Sequence, residues 1–320
     1  MYLLSLRGGE NVSKKRAVSR QVKSRSKGMA QMQLKWGYFF IAPCIIGLLV
    51  FQFGPMLFSF IVSLTYWNVI TSPEFIGFSN YIEMATDPLV HASLRATAYY
   101  TLLTVPLITI VHFLTACLLA TGIKGISVFR TIFYIPSIVP LVASSALWMF
   151  IYHPMFGLLN SFFRLVGLPT QGFVATPGGA VPALAIMAVW GAGNTMVIYL
   201  AGLQNVPRQL YEASSIDGAG PFQRFFRITI PLMTPIIFYN MIMAIIGSMQ
   251  VFTQAFVMTN GGPNNATMFL SLLLYRTAFN HMRMGYAAAM SWVLFVIIAV
   301  LTAVVFRSSN KWVFYENKND

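Results

Sequence analysis

Acidic residues are scarce: eight Asp and Glu among 320 residues, against 21 Lys and Arg. All charged residues together make up 9% of the chain, where a soluble globular domain carries roughly a quarter, so a water-soluble fold of this length could not cover its surface. Only two cysteines occur, Cys44 and Cys117, each inside a long apolar run. They read as buried free thiols rather than a disulfide or metal pair, and they say nothing of the redox compartment. Four histidines are present, of which His91, His153 and His281 fall outside the apolar runs and His112 lies alone within one. Each reads as satisfied or solvated, so no metal site is expected. With no paired carboxylates and no histidine cluster, the constellation an intramembrane enzyme would need is missing. No Gly-x-x-x-x-Gly-Lys-Ser/Thr stretch occurs, so this chain cannot cradle a nucleotide's phosphates in that manner and is not itself an enzyme of that kind.

Apolar residues fill the space left by charge. The chain is 57% hydrophobic, and runs of about 20 apolar residues, enough for a hydrocarbon core of roughly 30 Å, recur along it. The pattern predicts an all-α, polytopic helical membrane protein with six spans: Tyr38–Thr65, Thr97–Thr121, Phe129–Tyr152, Val181–Leu203, Met233–Met258 and Ala287–Phe306. None of the eight acidic residues falls in a span, which sets aside an ion-coupled secondary transporter. Nine basic residues precede residue 36, and 17 of the 21 lie on the side that the N-terminus occupies. That bias predicts both termini in the cytoplasm. The organisation expected is a basic N-terminal tail (1–37), a six-span domain (38–306) and a short C-terminal tail (307–320). The basic tail lacks interleaved aromatics, so it reads as an orientation signal rather than a nucleic-acid arm, and no small-residue cleavage site follows the first run. Two segments on the other side, GLLNSFFRLVGL (157–168) and TMFLSLLLYRTAF (267–279), are too short or too charged to cross. Both are expected as interfacial helices with the apolar face towards lipid.

Between spans four and five the chain inserts EASSIDGAGPFQRFFRITIP, Glu212 to Pro231. Two of the eight acidic residues sit here within six positions. Pro207 suits a first helical position. Arg208–Ile216 is helix-compatible, and Gly218 suits a left-handed stop. Pro221 opens a second helix with Phe222, Phe225, Phe226 and Ile230 on one face, and Pro231 and Pro235 are expected to break the backbone again. The result is a short helix-turn-helix at the membrane surface, with small residues Ala213, Ser214 and Ser215 open to close approach. An amphipathic connector resting on lipid headgroups is the competing reading.

This stretch resembles the EAA loop of ABC importer permeases, E-A-A, three residues, G, nine residues, I-x-L-P. Glu212, Ala213, Ser214, Gly218, Ile228, Ile230 and Pro231 stand at the matching places, with Ser214 for the second alanine and Ile230 for the leucine. FRTIFYIPSIVP (129–140), HPMFGLLN (153–160) and TNGGPNNATMFLSLLLYRTAF (259–279) resemble further segments of carbohydrate-type permeases. The resemblance runs from about residue 38 to near the end. It implies a subunit similar to the first permease of maltose- and glycerol-phosphate-type uptake systems, without the large outer insertion of the maltose example. It further implies that the loop 207–231 couples to an ATPase, with Glu212, Ala213, Ser214, Asp217, Gly218 and Arg224 at the contact. The implied partners are a second homologous permease, two copies of a cytoplasmic ATPase holding ATP and Mg, and an extracytoplasmic solute-binding protein in a bacterial inner membrane. No cofactor is expected on this chain.

Polar residues inside spans mark the expected solute path. Asn240, Gly247 and Gln254 recur at seven-residue intervals with Gln250 and Thr253 close by, one face of a continuous helix. Trp190 and Asn194 on span four, and Ser291 and Trp292 on span six, complete the set. Neutral amides and hydroxyls suit the donors and acceptors of a sugar, and a di- or oligosaccharide is expected, a polyol or glycerol phosphate being the alternative. Interhelical hydrogen bonding is the competing reading for each residue.

Overall fold

A computed structural model describes residues 32–314; the nine basic residues before residue 36 fall, Lys35 excepted, outside them, as do residues 315–320. The chain divides into two compact units, Met1–Ile61 and Val62–Asp320. The described part of the first, residues 32–61, is all but the last two residues of helix α1 (Met32–Ser63), which has a mean hydropathy of 2.2 over its most apolar stretch. Its residues Leu49–Phe53 form a π turn.

The second unit opens with a two-stranded hairpin, β1 (Thr65–Tyr66) paired antiparallel to β2 (Glu74–Phe75) in the register Thr65↔Phe75. Its turn is held by Asn68, whose Oδ1 accepts from the backbone N–H groups of Ile70 and Thr71 at 3.1 and 2.8 Å. Helix α2 (Ser79–Thr86) follows, and its buried Asn80 donates to Ser63 O and Thr65 O at 2.8 and 3.0 Å. Helix α3 (Pro88–Leu119) then starts on a proline at its first turn, with Asp87 Oδ1 accepting from Leu89 N, the cap that a helix start calls for.

Helix α3 packs along three later helices and forms the centre of the fold. The remaining helices are α4 (Ile126–Tyr134), α5 (Leu141–Ile151), α6 (Leu158–Leu165), α7 (Pro177–Trp190), α8 (Gly193–Asn205), α9 (Arg208–Ile216), α10 (Pro221–Met249), α11 (Leu270–Tyr275) and α12 (Met284–Ser309). Four helices among the described residues are long and apolar enough to cross a membrane singly, and six spans result if each of two bent pairs counts as one.

Those bends correct the expectation of continuous spans three and four. Span three bends by 102° between Ile126–Ile138 and Leu141–Ile151. Pro140 forces Val139 to extended backbone, ψ 128°, since the residue before a proline is excluded from the helical region. Span four bends by 51° between α7 and α8, around Gly191 and Ala192.

Span five departs in both directions. It begins at Pro221 rather than Met233, because Pro231 and Pro235 do not break it. A π turn over Phe225–Thr229 leads into Pro231, and Thr234 Oγ1 donates to Pro231 O at 2.6 Å, the carbonyl that Pro235 leaves without its i+4 N–H. It ends at Met249, not Met258, with Gln250 to Phe252 outside any helix.

The segment 267–279 is the largest correction. Met268, Phe269, Leu270, Leu272 and Leu273 are all buried inside the protein rather than turned to lipid. Phe269 lies against Tyr100 with ring centroids 5.0 Å apart, and Leu270 N donates to Thr97 Oγ1 at 2.9 Å. Helix α6 does leave Leu158, Phe162 and Leu165 exposed.

At the start of α12, Arg283 pairs with Glu83 at 2.6 Å and lies over the Tyr286 ring, 4.4 Å from its centroid. The hydrogen bond to Glu83 holds the Arg283 guanidinium above its ordinary pKa. Tyr286 OH donates to Asp87 Oδ2 at 2.9 Å, and Gly285 admits no side chain because a Cβ would strike Thr65 O. Span six therefore starts pinned to α2 and to the start of α3. Beyond its end the chain docks back on α10: Phe314 N donates to Thr234 Oγ1 at 2.9 Å, and the Trp312 ring meets Phe238 at 5.8 Å.

Candidate functional site

The loop between spans four and five is a short helix, a tight turn and the first turns of α10. Pro207 precedes α9, and Asp217 ends it. Gly218 has φ +76°, in the left-handed region that favours glycine. Ala219 N donates to Ser214 O at 2.9 Å and Gly218 N to Ser215 O at 3.2 Å, closing the helix end in the manner of a Schellman turn. Arg224 Nε donates to Ala219 O at 2.8 Å and fixes the exit from the turn. Tyr211 OH and Thr229 Oγ1 share a hydrogen bond of 2.8 Å, which ties α9 to α10.

No residue of α9 is buried. Glu212, Ala213, Asp217 and Gly218 are exposed and Ser214 half-buried, with the Ser214 hydroxyl donating to Tyr211 O. Among the described residues, the Glu212 and Asp217 carboxylates have no hydrogen-bond or ion-pair partner. The apolar face expected on the second helix divides in two. Phe225 stacks on Phe113 at 6.1 Å and, with Ile228 and Ile230, joins the cluster of Met196, Tyr199 and Met233. Phe222, 81% exposed, and Phe226, 61% exposed, point the other way with Ile216. Such a face needs a cover, while its other side is anchored in the spans.

A cavity of about 410 Å³ lies between α3, α8 and α10. Asn240, Gln250, Thr253 and Gln254 all line it. They come together although the helix that was to carry them stops at Met249, because the unwound stretch turns Thr253 and Gln254 back to the same wall. Asn240 is buried and spends its amide on Ile236 O at 3.0 Å. A second cavity of about 420 Å³ takes in Ser137, Trp190, Asn194 and Gln254 around the bend of span three. Ser291 and Trp292 line neither. Ser291 donates to Ala288 O, and Trp292 lies against Phe295 at 5.4 Å, so the structure does not bring these two together with the others.

The wall that the sequence reading missed is on α3: Tyr100, Thr104, Thr109 and His112 line the larger cavity, facing Thr195 and Tyr199 of α8. The signal was a polar residue at nearly every turn of span two. His112, read as isolated, is part of that wall. Of the described residues lining either cavity, none is Lys, Arg, Asp or Glu; the polar part of the walls is amide, hydroxyl and imidazole, set among aromatic and aliphatic side chains such as Ile108, Leu141 and Met243.

The family model for binding-protein-dependent transport system inner membrane components matches residues 99–312. The chain belongs to this family. The match spans both the loop and every cavity wall. Among relatives of this permease, the probable ABC transporter permease protein YesP of Bacillus subtilis (strain 168) is 40% identical over 289 residues, 89% of this chain and 93% of the relative. The trehalose/maltose transport system permease protein MalF of Thermococcus litoralis is 34% identical over 86% of this chain and 94% of its own length. The lactose transport system permease protein LacF of Rhizobium radiobacter is 33% identical over the same shares. A chain of a bacterial alginate ABC transporter solved with its alginate-bound periplasmic protein superposes with a TM-score of 0.77, covering 88% of this chain and 96% of that one at 21% identity. That likeness is one of fold. The permease is thus a multi-pass inner-membrane transport subunit of the ABC class, with ATP hydrolysis on a separate subunit.

Proposed function

We propose that this permease moves a neutral carbohydrate, a di- or oligosaccharide, through the cavity between spans two, four and five. The uncharged hydrogen-bonding lining of that cavity carries the reading. Sugar hydroxyls need both donors and acceptors, and amides and hydroxyls supply both. An anionic solute such as glycerol phosphate would lack a counter-charge among the lining residues, which sets that alternative aside; a neutral polyol fits the same chemistry. Relatives named for trehalose, maltose and lactose transport support the reading.

In this reading the loop 207–231 is the handle for a cytoplasmic ATPase, which holds ATP and Mg. Glu212, Ala213, Asp217 and Gly218 offer its exposed surface, with Phe222 and Phe226 as the apolar part of the contact. A second homologous permease completes the pore, two ATPase copies sit below, and an extracytoplasmic solute-binding protein delivers the sugar. Closure of the ATPase pair on ATP turns the cavity outward, and hydrolysis resets it inward. The distribution of basic residues, 17 of 21 on one side, supports cytoplasmic termini. Purification in mild detergent tests the assembly: the ATPase and a second permease should come with this chain, and uptake of radiolabelled maltose, trehalose or lactose by proteoliposomes should require ATP. A lone chain that transports on an ion gradient would sink the reading.

A further inference from the structure

His112 is buried, 3% exposed, and its Nε2 lies 3.0 Å from Val189 O. That carbonyl belongs to the last turn of α7, where a helix leaves its carbonyls without intrahelical donors. A carbonyl only accepts, so Nε2 carries the proton. In the neutral ring Nδ1 is then a bare acceptor, and it has no partner among the described residues. Three more groups lining the same cavity share that condition: Tyr199 OH, in a fully buried residue, Thr104 Oγ1 and Thr109 Oγ1. Thr109 could satisfy itself as two other threonines of the helix do, while Thr101 and Thr104 stay unpartnered like it. Thr97 and Thr115 on the same helix donate to the carbonyls four residues back, Ser93 O and Val111 O, each at 2.7 Å. Buried polar groups in folded proteins almost always find partners, and four of the eight unpartnered buried side-chain atoms among the described residues gather at this one cavity, which points to a partner there that is not protein.

We propose that His112, Thr109 and Tyr199 form a selectivity wall that takes hydroxyl donors of a neutral sugar and discriminates against acidic sugars. The inference rests on the reading of the cavity as the solute site. The Nδ1 lone pair can receive a hydrogen bond from a sugar hydroxyl but offers nothing to a carboxylate except repulsion. Tyr199 and Thr109 hydroxyls can each give or receive, so the wall matches the mixed edge of a pyranose. No cation is present among the lining residues to hold a uronate.

The test uses the whole complex in proteoliposomes with ATP, with maltose, trehalose, lactose and a mannuronate trisaccharide as probes. Tyr199→Phe and Thr109→Val each delete only an atom that has no protein partner. The thermal inactivation midpoint should therefore hold or rise, while half-saturation for the neutral sugar rises about three- to ten-fold, the worth of one hydrogen bond. Gln254→Leu, on the opposite wall, reports on the cavity itself. If Gln254→Leu weakens uptake but Tyr199→Phe and Thr109→Val do not, the cavity reading stands and the selectivity wall falls. Unchanged half-saturation in all three variants, or a wild-type complex that moves none of the probes, overturns both. Lower thermal stability of Tyr199→Phe and Thr109→Val would mean structural hydrogen bonds, and preferred uptake of the mannuronate trisaccharide would reverse the selectivity; either overturns the proposal.

Discussion

Gly218 separates backbone strain from steric clash as the source of a coupling defect. Its φ is +76°, yet a Cβ built there meets nothing within 4 Å. Any side chain therefore fits in space, and only the left-handed backbone resists it. For a β-branched residue that resistance is roughly 1–2 kcal/mol, or a factor of about 5 to 30 in the population of the correct turn. Asparagine visits the same region at low cost. Relaxing the strain would open the Ala219–Ser214 and Gly218–Ser215 bonds and release Arg224 from Ala219 O, so the direction from α9 into α10 would change. Gly218→Val should thus reach the membrane in normal amounts, since the loop touches no span at this residue. It should lose stimulation of ATP hydrolysis by the loaded binding protein, by up to that factor, while Gly218→Asn stays close to wild type. The assay is ATPase activity of the reconstituted complex with and without binding protein and sugar. Equal, full stimulation in both variants would refute the role given to the turn.

Glu212→Lys reverses the charge on the exposed, unpartnered carboxylate of α9, and should release the ATPase during purification without lowering permease yield; retention of ATPase would place Glu212 outside the contact. Cysteines introduced at Gln223 and Lys311 should be shielded from an impermeant thiol reagent in intact cells, while one at Asn264 reacts, and labelling at Lys311 from outside would reverse the orientation. At the start of α12, Glu83→Gln should cost no more than about 1 kcal/mol, because its ion pair is largely exposed. Tyr286→Phe, which removes a part-buried bond to the Asp87 carboxylate, should cost about 1.5–3 kcal/mol; thermal inactivation of the purified complex ranks the two.

What could be read from the sequence follows the range of the forces involved. The turn at Gly218 and the helix start at Pro207 are decided within a few residues, and both stand where the local pattern puts them. Hydropathy counts apolar residues but not backbone continuity, so Pro140 and the Gly191 region broke spans that composition drew as whole. Pro231 and Pro235 erred the other way, since the π turn before them and the Thr234 hydroxyl absorb what a proline disrupts. For 267–279 the misleading residue was Arg276, whose charge suggested an aqueous edge. Its guanidinium instead donates to Asn260 O and Oδ1, each at 2.7 Å, and the apolar residues before it go inward. Asn240 and Gln254 were found through their spacing. His112 and Tyr199 were missed because their meaning depends on which atoms lack a partner, and only tertiary structure shows that.

The unbroken course of Pro221–Met249 turns one piece of backbone into a lever. Its 29 residues at about 1.5 Å each make an arm of roughly 43 Å, with Phe222 near one end and Met249 at the tip. A tilt of about 5° about the Phe222 end carries the tip by ~4 Å over that length, wider than a hydroxyl group. The non-helical step from Gln250 to Phe252 lies at that tip, so a swing would reach the segment bearing Thr253 and Gln254 across a break in the helix. A few degrees at the Pro221 end would then be enough to change the width of the chamber.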